Sequence, residues 1–197
     1  MNKQFSSACE RNADPILQVL RQGFANVRHV LEIGSGTGQH AVHMAAHLPH
    51  LIWQTSDLPA YHPSIHAWID DVSLDNLRKP LILDMAAPDW PQANFDAIFT
   101  ANTCHIMSWD KVERMFAGAA EVLPTGGVLG VYGPFNVDGQ YTSEGNARFD
   151  EALRAQGGQM GLRNLEDVQK LAASYGFKPH ADHAMPSNNH LLVWHRS

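Results

Sequence analysis

Short apolar runs alternate along the chain with segments whose apolar residues recur every three or four positions. The first pattern predicts buried strands, and the second predicts helices that pack one face on a core. Strands are predicted over residues 29–33, 51–57, 80–85, 95–102 and 126–135. Helices are predicted between them over residues 38–49, 64–74 and 109–123. This alternation favours a doubly wound α/β fold, in which helices cover both faces of a parallel sheet.

The final third of the chain differs in its pattern. Residues 136–163 are polar and rich in glycine, with one predicted helix over residues 144–156. A second helix is predicted over residues 164–176, and two strands follow over residues 177–185 and 189–196. These strands must be antiparallel because only three residues connect them, whereas a parallel crossover needs about a dozen or more. The expected sheet is therefore mostly parallel with one antiparallel strand.

A helix is also predicted before the first strand, within residues 1–28. Asp14 followed by Pro15 is typical of a helix start, with aspartate as the N-cap and proline in the first turn. Ile16, Leu17 and Leu20 then supply an apolar helical face. Since the chain shows no linker and no internal repeat, residues 1–197 are expected to form a single domain.

The amino-acid composition narrows the range of functions that the protein can have. Of 197 residues, 44% are hydrophobic and 17% are charged, as in an ordinary globular enzyme, and the net charge is −6. Basic residues are scattered rather than clustered, which argues against nucleic acid as a partner. The absence of a long apolar segment argues against a membrane. With only Cys9 and Cys104, a disulfide framework is not expected, and the cytoplasm is the predicted compartment.

The segment VLEIGSGTGQHA, residues 30–41, places three glycines between a predicted strand and a predicted helix. Gly34, Gly36 and Gly38 suit a tight turn where a ligand approaches the backbone. A dinucleotide-binding loop would have its third glycine where Gln39 stands, which argues against NAD. Glu32 precedes the loop and is expected to reach over it toward a cationic ligand group, since opposite charges attract.

Two further acids lie at the ends of the next two predicted strands. Asp57 lies 19 residues after Gly38, close to the position at which doubly wound folds place an acid for ribose hydroxyls. Asp84 precedes Met85, so its carboxylate could accept from an adenine amino group while the thioether packs on the ring. A nucleoside with a cationic amino-acid tail would satisfy Glu32, Asp57 and Asp84 together.

The motifs LEIGSGTG, SD, LDM and FDAIFTAN resemble the successive motifs of class I S-adenosylmethionine (SAM)-dependent methyltransferases. RNADPIL, SIHAWI, YGPFNVDGQYTSEGNARFD, GLRNLEDV and MPSNNHLL extend the resemblance, over nearly the whole chain, to a family of small methyltransferase-like proteins of unknown function. The resemblance implies a Rossmann-like, seven-stranded sheet whose last strand is antiparallel. It also implies that Glu32 serves the methionine end of SAM, Asp57 the ribose and Asp84 the adenine. The other expected cofactor contacts are Gly34, Ser35, Gly36, Thr37, Gly38, Leu58, Met85 and Asn102.

Histidines recur along the predicted second helix without the surroundings of a metal site. A helical wheel places His40, His43, His47 and His50 roughly opposite the apolar face, so they are expected to face solvent. No cysteine or suitable carboxylate is near them in sequence, and no metal site is predicted.

Candidate catalytic residues follow the fourth strand. His105 is a candidate general base, although a role in shaping the pocket is an equal alternative. Tyr132 is a second candidate base. Cys104 is not expected to act as a nucleophile, because direct methyl transfer needs no covalent enzyme intermediate. The segment ANTCHI lacks the Asn/Asp-Pro-Pro-aromatic run of amino methyltransferases that act on nucleic-acid bases, which further disfavours such substrates.

Residues 135–165 are expected to form a lid over the substrate, because this segment is polar, aromatic and rich in glycine. Local turn and cap chemistry is the alternative role for its polar residues. The candidate substrate contacts in and around the lid are Arg11, Asn12, Phe135, Asn146, Phe149, Asp150, Arg163, Asn188 and Asn189.

The function predicted from these features is methyl transfer from SAM to a small polar or anionic molecule. A module that binds SAM or S-adenosylhomocysteine (SAH) without turnover is the alternative. An NAD-dependent oxidoreductase is disfavoured by Gln39 and by the lack of a recognisable Tyr-x-x-x-Lys pair. The oligomeric state is left open.

Overall fold

The computed structural model describes residues 3–157 and 159–197. Strands and helices alternate along the first two thirds of the chain. The strands are β1 His29–Ile33, β2 Ile52–Asp57, β3 Leu77–Ile82, β4 Ala97–Ala101, β5 Val128–Asn136, β6 Arg163–Asn164, β7 Phe177–Met185 and β8 Asn189–Arg196. The helices are α1 Ser7–Gly23, α2 Gln39–His47, α3 His62–Asp70, α4 Trp109–Val122, α5 Glu144–Ala155 and α6 Leu165–Ser174.

Seven strands form the main sheet in the order β3-β2-β1-β4-β5-β8-β7. Strands β1 to β5 pair in parallel, whereas β8 is antiparallel to both β5 and β7. The predicted fold class, a mostly parallel doubly wound sheet with an antiparallel C-terminal strand, is confirmed. The short strand β6 adds an eighth, unpredicted strand, which pairs in parallel with the end of β5.

A hydrophobic core lies on each face of the sheet. One core joins α1, α2 and α3 to the sheet, and the other is built largely from α4, α6 and the opposite strand faces. All nine residues of β5 are buried because this strand is covered on both sides. Apolar runs of this kind, without alternation, are typical of parallel strands in the centre of a sheet.

The predicted start of α1 is wrong. The helix begins at Ser7, and the Ser6 side chain caps it by accepting a hydrogen bond from the Cys9 backbone N–H at 3.3 Å. Pro15 therefore lies inside the helix, where proline removes a backbone hydrogen bond. The buried face formed by Ile16, Leu17 and Leu20 outweighs this loss, because it anchors the helix on the sheet.

Several other boundaries differ from the prediction, among them those of β3 and α3. Strand β3 ends at Ile82, so Asp84 and Met85 lie in the loop after it rather than in the strand. Helix α3 begins two residues earlier than predicted, at His62, and ends at Asp70. Across the described residues, no helix combines the length and the apolar character that a membrane crossing requires.

Candidate active site

A cavity of about 1110 Å³ opens at the carboxyl ends of the parallel strands. It lies where the sheet order reverses, since β1 connects to β2 on one side while β4 and β5 lie on the other. Ligands of open α/β sheets bind at such a switch point. Ligand pockets usually have volumes of about 300–1,000 Å³. This cavity is therefore large enough for a nucleoside and a second small molecule.

Most predicted site residues line this cavity. They are Arg11, Asn12, Gly34, Ser35, Gly36, Thr37, Asp57, Leu58, Asp84, Met85, Asn102, His105, Asn146, Phe149 and Asn189. The predicted residues outside the lining are Glu32, Gly38, Tyr132, Phe135, Asp150, Arg163 and Asn188.

The three loop glycines all have positive φ angles, but their surroundings differ. A Cβ at Gly34 would lie 2.6 Å from Cγ2 of Thr103, and one at Gly38 would lie 3.0 Å from Cα of Ile65. Glycine is thus required at these two positions, because any larger residue would crowd a neighbouring part of the protein. A Cβ at Gly36 would meet no protein atom within 4 Å, so Gly36 leaves room at the cavity wall for a ligand.

Glu32 lies beneath the glycine loop rather than over it, which corrects the expected orientation. Its carboxylate accepts hydrogen bonds from the Ser35 hydroxyl at 2.8 Å and from the Trp53 indole N–H at 3.1 Å. Burial raises the pKa of the Glu32 carboxyl to about 7, although these two hydrogen bonds act in the opposite sense. In this position Glu32 supports the loop and does not contact the cavity directly.

Asp57 holds the loop from the end of β2. Its two carboxylate oxygens accept from the backbone N–H groups of Gly36 at 2.6 Å and Leu58 at 2.7 Å. Burial raises the pKa of the Asp57 carboxyl, and the two backbone hydrogen bonds partly offset this effect. Asp84 is half-buried, and it accepts from the Ala86 backbone N–H at 2.8 Å. Both acids therefore line the cavity, Asp57 at the end of β2 and Asp84 in the loop after β3.

The prediction that the α2 histidines share a solvent-exposed face is wrong for His40. Its side chain is buried and lines the cavity, whereas His47 and His50 are exposed and His43 is half-buried. Burial lowers the pKa of His40 to about 4. Within the described residues, Nε2 of His40 has no hydrogen-bond partner. A polar group in the cavity is therefore a natural partner for it.

His105 is buried in the turn after β4 and faces the cavity. Its ring meets the Phe149 ring edge to face, with the centroids 5.2 Å apart. Burial lowers the pKa of His105 to about 4, and the nearby Arg163 charge acts in the same sense. The imidazole is therefore neutral at pH 7 and able to accept a proton, but so low a pKa makes it a weak base in this state of the site.

Asp150 organises the lid and does not contact the cavity, so its predicted role as a substrate contact is corrected. Its fully buried carboxylate accepts from the Tyr141 hydroxyl at 2.7 Å, from Nε of Arg154 at 2.8 Å and from the Leu162 backbone N–H at 2.6 Å. These bonds join both ends of the lid to α5. Nearby donors lower the pKa of the Asp150 carboxyl despite desolvation.

Arg163 clamps the turn that carries His105, and it too is corrected from substrate contact to support. Its guanidinium donates to the carbonyl oxygens of Cys104 at 3.1 Å, Gln159 at 2.8 Å and Met107. The Gly161 backbone N–H donates to the carbonyl of His105 itself at 2.9 Å. The lid and the His105 turn are thus connected at several points.

We expect Arg163→Lys to loosen the His105 turn without removing the positive charge. A lysine ammonium cannot reproduce the planar fork that reaches three carbonyls. The free energy of unfolding should fall by about 1–2 kcal/mol. The pKa of His105 should rise toward its ordinary value because water gains access to the ring, and NMR titration of the histidine side chains would measure it.

Arg148→Lys is the matched control for this experiment, since Arg148 is exposed on α5 and pairs with Glu144 at 3.6 Å. It should leave the titration of His105 unchanged. An unchanged His105 pKa in Arg163→Lys would contradict the assigned clamp.

Three more predicted site residues lie outside the cavity lining. Tyr132 and Phe135 are buried in the two cores on either side of β5. Burial raises the pKa of Tyr132 to about 12, so it is a poor proton acceptor as well as absent from the cavity wall. Asn188 is exposed, and it contributes only its carbonyl, which accepts from the Asn146 side chain at 3.4 Å.

The structure adds cavity residues that the sequence analysis missed. One of them is Cys9, which is half-buried on α1 and has a free thiol. The thiol of the buried Cys104 is also free. His40 could have been suspected because it directly follows the glycine loop, in the first turn of α2. Several others follow no sequence signal that we can identify, among them Tyr61, Ile106, Met107, Lys111, Gln156, Gln159 and Met160.

The profile of a family described as "Protein of unknown function (DUF938)" matches residues 3–196. The chain belongs to this family. The match spans the glycine loop, the acids after β2 and β3, the His105 turn and the lid.

Solved structures with the same fold are methyltransferases. An O-methyltransferase family protein from Burkholderia thailandensis has a TM-score of 0.80 at 19% identity, over 96% of this chain and 57% of its own. Human N-acetylserotonin methyltransferase in complex with SAM has a TM-score of 0.83 at 13% identity, over 96% of this chain and 53% of its own. An O-methyltransferase family 2 protein from Planctomyces limnophilus in complex with apigenin has a TM-score of 0.77 at 18% identity, over 94% of this chain and 62% of its own.

The DUF938 chain thus spans little more than half the length of these proteins. At such low identities the likeness shows the fold alone, which is that of the class I SAM-dependent methyltransferases.

Proposed function

We propose that the protein binds SAM and transfers its methyl group to a small molecule. The observation that carries this proposal is the convergence of the Gly36 opening, Asp57 and Asp84 on one cavity at the switch point of the sheet. These groups follow three strands that are neighbours in the sheet, β1, β2 and β3. Their order suits an elongated nucleoside that crosses the strand ends.

The residues present fit SAM. Each carboxylate oxygen of Asp57 accepts one backbone hydrogen bond and retains a lone pair for a ribose hydroxyl. Leu58 is partly exposed beside it, and Asp84 and Met85 border the next strand end, where an adenine ring would contact them. Gly36 leaves space for the methionine chain, and His40 and Arg11 offer polar groups near it.

His105 is the residue that we propose to accept a proton from the acceptor. SAM supplies an activated methyl group on a sulfonium. With SAM bound, the C–S bond would break as a bond formed from the methyl carbon to the acceptor atom, and SAH would leave. The proton displaced from the acceptor passes to the neutral His105 ring and then to water. The protein contributes mainly alignment and the exclusion of water.

Calorimetric titration with SAM, SAH and NAD tests this proposal. We expect micromolar dissociation constants for SAM and SAH and no heat of binding for NAD. If neither sulfur nucleoside binds, the proposed function is wrong. If NAD binds and SAM does not, the oxidoreductase alternative replaces it.

A further inference from the structure

The charged side chains that line the cavity are gathered at one end, whereas the Arg163 charge near His105 lies outside the lining and is hydrogen-bonded to three backbone carbonyls. Among the described residues, the charged lining side chains are Arg11, Asp57, Asp84 and Lys111, because burial keeps His40 and His105 neutral at pH 7. Asp57 and Asp84 follow β2 and β3, on the same side of the switch point. This is the side to which we assign SAM.

The two basic residues lie on that side as well. Arg11 belongs to α1, which packs against α2 next to the glycine loop, where the Ser6 backbone N–H donates to Gln39 at 2.5 Å. Lys111 is in the first turn of α4, and Arg114, one turn later, donates to the carbonyl of Met85 at 3.2 Å. This part of α4 therefore adjoins the end of β3.

The opposite end of the cavity is formed by His105, Ile106, Phe149 and Met160, which we call the acceptor patch. Phe149 meets the His105 ring edge to face, and Met160 precedes Gly161, whose N–H bonds the His105 carbonyl. Ile106 is 50% exposed and Phe149 is 41% exposed. Large apolar side chains that share one concave surface often mark a site for an apolar ligand.

The side-chain N–H donors of two asparagines near the acceptor patch are hydrogen-bonded within the protein. The Asn146 amide donates to the Thr142 hydroxyl at 2.8 Å, and the Asn189 amide donates to the Pro186 carbonyl at 2.9 Å. The His105 ring, in contrast, makes no hydrogen bond with any side chain or backbone group of the described residues. Both of its ring nitrogens are therefore free to bond a ligand, one as a donor and one as an acceptor.

We propose that the methyl acceptor is an uncharged molecule with a flat apolar body that bears a hydroxyl group. The apolar body lies against Phe149 and Ile106, and the hydroxyl meets the His105 ring. A protonated amine would lack a carboxylate partner at this end, and burial without one costs several kcal/mol. This proposal rests on the proposed function, and it revises the polar or anionic acceptor expected from the sequence.

The test measures ligand binding to the SAH-loaded protein and so needs no knowledge of the natural acceptor. The probes are 2-naphthol, 2-naphthylmethylamine and 2-naphthoate, which share one ring system and differ in charge at pH 7. We expect 2-naphthol to bind at least about tenfold more tightly than either charged probe. Tighter binding of 2-naphthoate or of the amine, or equal binding of all three, would overturn the proposal.

Phe149→Ala locates the binding site. It should weaken 2-naphthol binding at least about tenfold, because the ring contributes a large apolar contact surface. Phe5→Ala is the matched control, since Phe5 is 61% exposed and lies outside the cavity lining. An unchanged affinity for 2-naphthol in Phe149→Ala would contradict the assigned position.

SAH affinity separates failure of this inference from failure of the proposed function. Phe149→Ala should bind SAH as tightly as the unmodified protein, because Phe149 belongs to the acceptor patch and not to the glycine loop or the Asp57 region. If the unmodified protein does not bind SAH, the proposed function itself fails. If SAH binds and 2-naphthol does not, only the acceptor class is wrong.

Discussion

Replacing Asp57 by alanine is expected to weaken the binding of both SAM and SAH at least about 100-fold. Hydrogen bonds to a charged group contribute about 1.5–3 kcal/mol each, and the Asp57 carboxylate would lose those to two ribose hydroxyls. The substitution also removes the acceptor of the Gly36 N–H, which holds the glycine loop against the end of β2. Calorimetric titration with both ligands measures the effect.

Asp57→Asn and Asp75→Ala are the comparison variants for this prediction. The asparagine retains one acceptor oxygen, so we expect an intermediate loss of about tenfold. Asp75 is exposed and lies outside the cavity lining, so its removal should leave both affinities unchanged. Affinities of Asp57→Ala within threefold of the unmodified protein would show that this carboxylate does not hold the nucleoside.

Replacing Glu32 by glutamine is expected to remove a large pH dependence of stability. The raised pKa of Glu32, about 7 against an ordinary value of 4.5, means that the folded state binds its proton more tightly than the unfolded state. Stability from this group is therefore greatest below pH 4.5 and falls as the pH rises to about 7. The full change corresponds to about 3 kcal/mol of unfolding free energy.

Urea unfolding followed by tryptophan fluorescence at several pH values between 5 and 8 tests this effect. Asp57 also has a raised pKa, and its contribution cancels in the difference between the variant and the unmodified protein. Relative to the unmodified protein, Glu32→Gln should gain about 2–3 kcal/mol between pH 5 and pH 8. Glu121→Gln, at an exposed position on α4, should show no such gain. Parallel profiles for Glu32→Gln and the unmodified protein would mean that Glu32 does not titrate in this range.

The orientation of Glu32 could have been predicted from the sequence with closer attention to alternation. In β1, Leu31 and Ile33 belong to one core, whereas Val30 belongs to the other. Side chains alternate along a strand, so Glu32 points to the same face as Val30. On that face the neighbouring strand brings the Trp53 indole to within hydrogen-bond distance of the carboxylate.

The burial of His40 could not have been predicted from the periodicity of its own helix. The helical wheel places it with His43 and His47, yet α1 covers the first turn of α2 and leaves the later turns open. Periodicity describes one helix in isolation, whereas burial depends on the element that packs against it. The same reason explains Asp150 and Arg163, whose partners include residues 12 and 59 positions away.

The sequence by itself determined the layered α/β architecture, the antiparallel C-terminal strand, the glycine turn and the positions of Asp57 and Asp84 near the carboxyl ends of their strands. These features depend on local periodicity, on the conformational freedom of glycine and on short connections, all of which are determined by residues that are close together in the sequence. Only the tertiary structure decided which polar side chains face the cavity and which support it. That choice depends on how α1, the lid and the His105 turn pack together, and their contacts join residues far apart along the chain.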